Sequence, residues 1–144
     1  MSTAVETPRE LVERLFNGLP DRDPDAFAAL MAPDAVFEIP FTIPGMQTRF
    51  EGRDEIRAHL SRWWSGSVAE VQVHAIDAAI YETTDPGLFF VENDVELTRA
   101  GEPRVRVRTS VNVVRVRDGE VVLFRDYMDT ARLLALTERL REQV

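Results

Sequence analysis

The chain has 144 residues, enough for one domain with a sizeable core, and its 44% hydrophobic and 29% charged residues are an ordinary globular balance. With 25 acidic against 17 basic side chains the formal net charge is -8, which argues against nucleic acid and anionic membrane as partners, because phosphate fields repel such a surface. The absence of cysteine excludes disulfides, thiolate metal sites and cysteine nucleophiles, and fits a cytoplasmic protein. The start MSTAVETPRE lacks the features of a signal peptide, and no apolar run approaches the ~20 residues of a membrane span.

In chain order, residues 1–6 read as a frayed terminus, and the whole of 1–144 as a single domain without linker, repeat or low-complexity segment. Thr7-Pro8-Arg9-Glu10 is a capping box that opens an amphipathic helix through Leu11, Leu15 and Phe16 to about Leu19. Asp23-Pro24 opens a second, short helix with Phe27, Leu30 and Met31 on its apolar side, which Pro33 is expected to end. Ala35–Pro40 reads as a strand, followed by a loop carrying Pro44 and Gly45. Arg53–Trp64 is a third helix, with Ile56, Leu60 and Trp63 at helical spacing. The period then changes. Val71–Tyr81, Leu88–Leu97, Arg104–Val116 and Val121–Met128 are strands rich in valine and aromatics, joined by turns at Asp85-Pro86-Gly87, Ala100–Pro103 and the hairpin dipeptide Asp118-Gly119. Asp129 or Thr130 caps a last helix through Leu133, Leu134, Leu136 and Leu140. Helices first and a long antiparallel meander after them predict an α+β fold. The sheet would be curved into a cone, with the N-terminal helices packed on its concave face and a pocket inside.

Strand alternation nominates the residues of that pocket. In VVLFRDYMD (121–129), Val122, Phe124, Asp126 and Met128 share one face, apolar but for one carboxylate. If Asp126 faces the interior, desolvation raises its pKa and suits it to acid–base work near neutrality. Otherwise it sits at a wet rim, or pairs with Arg106 or Arg108. Ser110, Asn112 and Val114 share a face unless a bulge intervenes, and Asn112 there would orient a carbonyl or stabilise an oxyanion. Asn93 interrupts the apolar row Phe89, Val91, Val95, Leu97 and reads as pocket-lining or as a buried, satisfied amide. His59, on the flank of the third helix, is a candidate proton shuttle opposite Asp126, or else a boundary histidine. His74 lies where strand parity is ambiguous. Trp63, Phe41, Phe89, Phe124 and Met128 are core residues and candidate walls. Glu92, Asp94 and Glu96, and the arginines of RVRVR (104–108), read as solvated or subunit-facing stripes. Two histidines fifteen residues apart supply no metal set, and no glycine-rich phosphate loop, nucleophile elbow or zinc motif appears.

PDAVFEIP (33–40), FEGRDEIRAHL (50–60), YETTDPGLFFVENDVEL (81–97) and RDGEVVLFRDYMD (117–129) carry a resemblance over about residues 8–138. They resemble the SnoaL-like group of the nuclear transport factor 2-like superfamily, which includes polyketide cyclases, limonene-epoxide hydrolase, ketosteroid isomerase relatives and small dimeric phenazine-biosynthesis proteins. The resemblance implies that Asp126 stands where the epoxide hydrolase has a catalytic aspartate and the phenazine proteins a pocket glutamate. Asn112 stands where ketosteroid isomerase has its protonated aspartate. The isomerase's base falls at Ile39, with Glu38 on the opposite face, and the hydrolase's arginine and second aspartate fall near Asn93 and Val95, so neither site is complete.

The expectation is therefore a small enzyme with no cofactor and no metal. It would act on a hydrophobic small molecule by isomerisation or cyclisation, with Asp126, Asn112 and His59 as catalytic residues and Asn93, Trp63, Phe124, Met128, Phe41 and Phe89 against the substrate. The resemblance also implies a homodimer. The alternatives are epoxide-hydrolase-like water activation by Asp126 and a non-catalytic ligand-binding domain.

Overall fold

The computed structural model describes residues 5–132, 134 and 135, with the backbone alone at 67 and 68. Helix α1 (Pro8–Gly18) starts as the sequence requires: Glu10 N–H donates to Thr7 Oγ1 at 3.1 Å, and Thr7 N–H to Glu10 Oε1 at 3.2 Å. Leu11, Val12, Leu15 and Phe16 form its buried stripe. A short 3-10 turn (Leu19–Asp21) leads to α2 (Pro24–Ala29), whose first turn is capped by Asp23 Oδ1.

Pro33 does not end that helix. Strand β1 runs Met31–Glu38, with Pro33 inside it. The helix closes at Leu30, whose carbonyl accepts from Val121 N–H at 2.9 Å and so starts strand pairing two residues before the proline. Pro33 lies in the stretch where β1 slips register against its neighbour, a place where a missing N–H is tolerated. The following segment, read as loop, contains β2 (Arg49–Glu51), three residues too short to show a period. Helix α3 (Arg53–Ser65) buries Ile56, His59 and Leu60, and a 3-10 turn (Ser67–Glu70) precedes the meander β3 (Val71–Glu82), β4 (Leu88–Arg99), β5 (Val105–Arg117) and β6 (Glu120–Met128). The β5–β6 turn has positive φ at Asp118 (52°) and Gly119 (76°), as a primed two-residue hairpin requires. Of the last helix, residues 130–132, 134 and 135 are helical, and Asp129 Oδ1 caps it by accepting from Arg132 N–H at 3.1 Å. Leu133, Leu136 and Leu140 lie outside the described residues.

The sheet order is β2-β1-β6-β5-β4-β3, antiparallel except for β1 alongside β6. It is an α+β fold: a curved, unclosed six-stranded sheet with the N-terminal helices on its concave side, as expected. Three bulges bend it. The extra residues are His74 in β3, Thr109 in β5 and Val122 in β6, each marked by a register shift. The bulge at Val122 also corrects the reading of its neighbour. Val121, assigned to the outer face by simple alternation, is fully buried in the core. Phe37 stacks on Phe124 (centroids 5.1 Å, 13°), Phe27 meets Phe124 edge-on at 5.4 Å, and Phe16 lies 6.0 Å away. This aromatic cluster ties α1 and α2 to β1 and β6. Among the described residues no helix is long and apolar enough to cross a membrane.

Candidate functional site

Between the helices and the inner sheet face lies a cavity of about 140 Å³, which opens outward into a chamber of about 300 Å³. Together they reach the lower range of small-molecule sites, ~300–1,000 Å³. The inner part is walled by Phe37, Ile39, Leu60, Trp63, Phe124 and Met128. Four residues on adjacent strands supply much of its polarity. The strand register aligns Asn93 with Ser110 and Asn112 with Asp126, so their side chains form a row across β4, β5 and β6.

This row depends on the bulge at Thr109. Arg106, Arg108, Ser110 and Asn112 all have even numbers, and an unbroken strand would put them on one face. The extra residue divides them. Arg106 and Arg108 go outward, bridging to Asp77, Asp94 and Glu92, while Ser110 and Asn112 go inward. The outer stripe and the inner asparagine, each expected from alternation on its own, coexist only because of it. Neither arginine reaches Asp126.

Asp126 is half-buried and borders both the inner cavity and the outer chamber. Burial pushes its pKa from 3.8 up to about 6, opposed by a hydrogen bond from Asn112 Nδ2 to its Oδ1 at 3.1 Å. Asn112 (3% exposed) uses its other amide atom as well: its Oδ1 accepts from Asn93 Nδ2. Asn93 (4% exposed) also donates from Nδ2 to Ser110 Oγ at 3.1 Å. The order is forced. An acceptor at Asp126 turns the Asn112 amide group toward it, which turns the Asn112 carbonyl toward Asn93, which in turn must present its own NH₂. Asn93 Oδ1 is left buried without a donor.

His59 lies deeper than expected. It is 8% exposed, stacked on Phe50 at 3.9 Å and 5.5 Å from Phe37. Burial, with a smaller contribution from the nearby Arg62 charge, lowers its pKa to about 4. Its imidazole is therefore neutral above that pH. It lines the same cavity as Asp126. His74, the bulge residue of β3, bonds through Nε2 to Thr98 Oγ1 at 2.6 Å.

Two expected wall residues fall elsewhere. Phe41 is 64% exposed and rests on Tyr127 (5.3 Å), because the chain leaves β1 at Glu38 and carries it over the outer side of β6. Phe89 is 3% exposed in the main core and does not border the cavity. Trp63, Phe124 and Met128 do border it. Ile39 borders it too, so the position of the isomerase's base holds an apolar side chain, and Glu38 faces outward onto Arg49 (2.7 Å) and Arg125 (2.9 Å). Arg22, Arg99 and Arg132, unremarked in the sequence, line the outer chamber. The signal for Arg99 was available: it continues the inward row Asn93, Val95, Leu97 by two more residues. Among the described residues no cluster of His, Asp or Glu is placed to hold a metal ion.

Residues 12–124 match the family model of the SnoaL-like domain. The chain belongs to the SnoaL-like family. It is 30% identical over 126 residues to an uncharacterized PhzA/B-like protein of Pseudomonas aeruginosa, spanning 88% of this chain and 86% of that one. Among solved structures it is similar to TerC co-crystallized with polyporic acid (TM-score 0.71, 21% identity, 91% of this chain and 98% of that one). It is also similar to a phenazine biosynthesis-related protein of Pseudomonas aeruginosa (TM-score 0.65, 22% identity, 90% and 83%). At these identities the solved structures establish the fold of this SnoaL-like protein, and its chemistry must be read from its own cavity.

Proposed function

We propose that this SnoaL-like protein is an acid–base enzyme that isomerises or cyclises a hydrophobic small molecule, with Asp126 moving the proton. The observation that carries the reading is a single carboxyl group whose pKa burial pushes up to about 6, set at the end of a short row of amides in a cavity with apolar walls. A base of that strength is ionised at neutral pH yet strong enough to take a proton from carbon beside a carbonyl. Asn112 fixes the carboxylate's orientation. Asn93 offers an acceptor to the substrate's polar end. Neutral His59 serves as a polar wall that can exchange a hydrogen bond without adding charge. Neighbours of the same fold support a small-molecule role: TerC was co-crystallized with polyporic acid, and a Catenulispora acidiphila protein of ketosteroid isomerase-like fold was solved in complex with trimethylamine. We also propose that two copies associate through the outer sheet face.

The test is proton exchange into deuterated water from a bicyclic ketone such as tetralone, followed by NMR. Wild-type protein should accelerate exchange, with a rate that rises through about pH 6 as Asp126 ionises. Asp126→Asn should lose ~100-fold or more. Wild-type exchange no faster than buffer would sink the reading. A second reading, epoxide hydrolysis by water activated at Asp126, draws on the same polar row. It predicts opening of styrene oxide and no ketone exchange. A binding domain without chemistry predicts neither.

A further inference from the structure

Two residues that line the cavity, one near each end, each carry a buried polar atom without a partner. Asn93 Oδ1, in the inner part, is a buried acceptor with no donor. Arg99 Nε, lining the outer chamber, is a buried donor with no acceptor. Both belong to one row of β4, where Asn93, Val95, Leu97 and Arg99 successively line the space from the inner part to the mouth. Six residues at ~3.3 Å each separate the two ends by ~20 Å along the strand. Between them the walls are apolar: Val71, Val73, Ile76, Val95, Leu97 and the indole of Trp63.

Among the described residues, the charge at the mouth has the opposite sign to that of the whole chain. Arg22, Arg99 and Arg132 line the outer chamber against Asp126 and Asp129, and Asp129 is engaged by Arg132 at 3.3 Å. Arg22 is held in place by donation to the Val71 carbonyl. No arginine contributes to the protonation behaviour of Asp126, which answers to burial and Asn112 alone, so the positive mouth and the reactive carboxyl are separate features. In a chain of net charge -8, guanidinium groups gathered at the opening of an apolar cavity select for an anion.

Building on the reading of the cavity as a substrate site, we infer that its ligands are extended amphiphilic acids. A hydroxyl or enol would donate to Asn93 Oδ1 at the floor, a flat apolar body would lie along Val95 and Leu97, and a carboxylate at the mouth would accept from Arg99. The inner acceptor follows from the Asp126–Asn112–Asn93 chain, because the carboxylate's demand for a donor propagates along two amides and leaves Asn93 Oδ1 buried without a donor, on a residue that lines the cavity. The floor would therefore reject a ligand whose inner end carries only an acceptor.

The experiment is calorimetric titration of the full chain with 4′-hydroxybiphenyl-4-carboxylic acid, a rigid body that with a hydrogen bond at each end approaches the separation of the two ends. Its methyl ester and the same acid without the hydroxyl are titrated alongside. Trp63 and Trp64, the only tryptophans, report the same binding by fluorescence. The hydroxy acid should bind roughly tenfold or more tighter than its ester, since a charge-assisted contact is lost, and roughly threefold or more tighter than the acid without hydroxyl. Arg99→Met should bring the acid to the affinity of the ester and leave the ester unchanged. Equal binding of acid and ester to wild-type protein, or no binding of any of the three at millimolar concentration, overturns the inference, and neither comparison needs a variant to fold. Turnover is a separate readout. Acid preference without ketone exchange leaves this inference standing and removes the proposed chemistry, while exchange without acid preference does the reverse.

Discussion

Asp126 and His59 line one cavity and are perturbed by the same force with opposite consequences. Burial favours the neutral form of each, raising Asp126 from 3.8 to about 6 and lowering His59 from 6.5 to about 4. For Asp126 the folded state binds the proton more tightly than the unfolded chain. Its contribution to stability is fully present below 3.8 and is lost as pH rises through about 6. For His59 the folded state binds the proton less tightly. Its contribution is present above 6.5 and is lost as pH falls through about 4. The two nearly cancel over that interval. At pH 7 the ionised Asp126 costs stability on the order of 2–3 kcal/mol. Asp126→Asn keeps an acceptor for Asn112 and removes the charge, so it should raise the thermal midpoint at pH 7. From pH 6.5 to 4 the variant should then lose stability more steeply than wild type, because His59 is no longer opposed. Parallel wild-type and variant curves of midpoint against pH would show that Asp126 is not held neutral by burial. The residue was legible in sequence as one carboxylate on an apolar strand face. The partner that fixes its orientation was not, because Asn112 and Asp126 meet only through register.

At the scale of elements, long strands, caps and the Asp118-Gly119 turn were read from local signals: period, N-cap chemistry and turn dipeptides. The bulges were not, because an extra residue is defined against a partner strand. Thr109 looks no different in sequence from its neighbours, yet it decides that Arg108 faces out and Ser110 faces in. β2 escaped for a related reason, since three residues gain strand geometry only by pairing with β1. The turn before β4 shows how tightly such pairing is built. Val116 N–H donates to the Gly87 carbonyl at 2.7 Å, next to the β5–β6 bulge, and a Cβ at Gly87 would stand 2.5 Å from the Val116 oxygen. Gly87→Ala should therefore cost about 1–3 kcal/mol, read as a lower urea midpoint, because backbone rather than a flexible side chain must move. A neutral substitution would mean that the turn is free to shift away from β5.

Over the whole molecule, the inner and outer faces of the sheet are chemically distinct. The inner face carries the core and the cavity. The outer face carries a ladder in which Arg104, Arg106 and Arg108 alternate with Asp77, Glu92, Asp94 and Glu96, beside the exposed pair Tyr81 and Phe90. Exposed pairs of this kind contribute ~0–1 kcal/mol each to folding, so the ladder is a poor explanation of stability and a better one of association. If two copies pair through it, sedimentation equilibrium should give twice the chain mass. Arg106→Glu with Arg108→Glu should shift the chain to monomer without unfolding it. A wild-type monomer at high micromolar concentration would remove that interface.

By itself the sequence determined the order of the long elements, the α+β class and the one carboxylate with reason to be perturbed, because these depend on period, capping and side-chain type along a continuous stretch. The tertiary structure alone decided which faces point inward and that Phe41 and Phe89 leave the site. Each of these is set by register across hydrogen-bonded strands or by packing between distant elements. A one-residue bulge reverses a face while leaving the local pattern of residues unchanged.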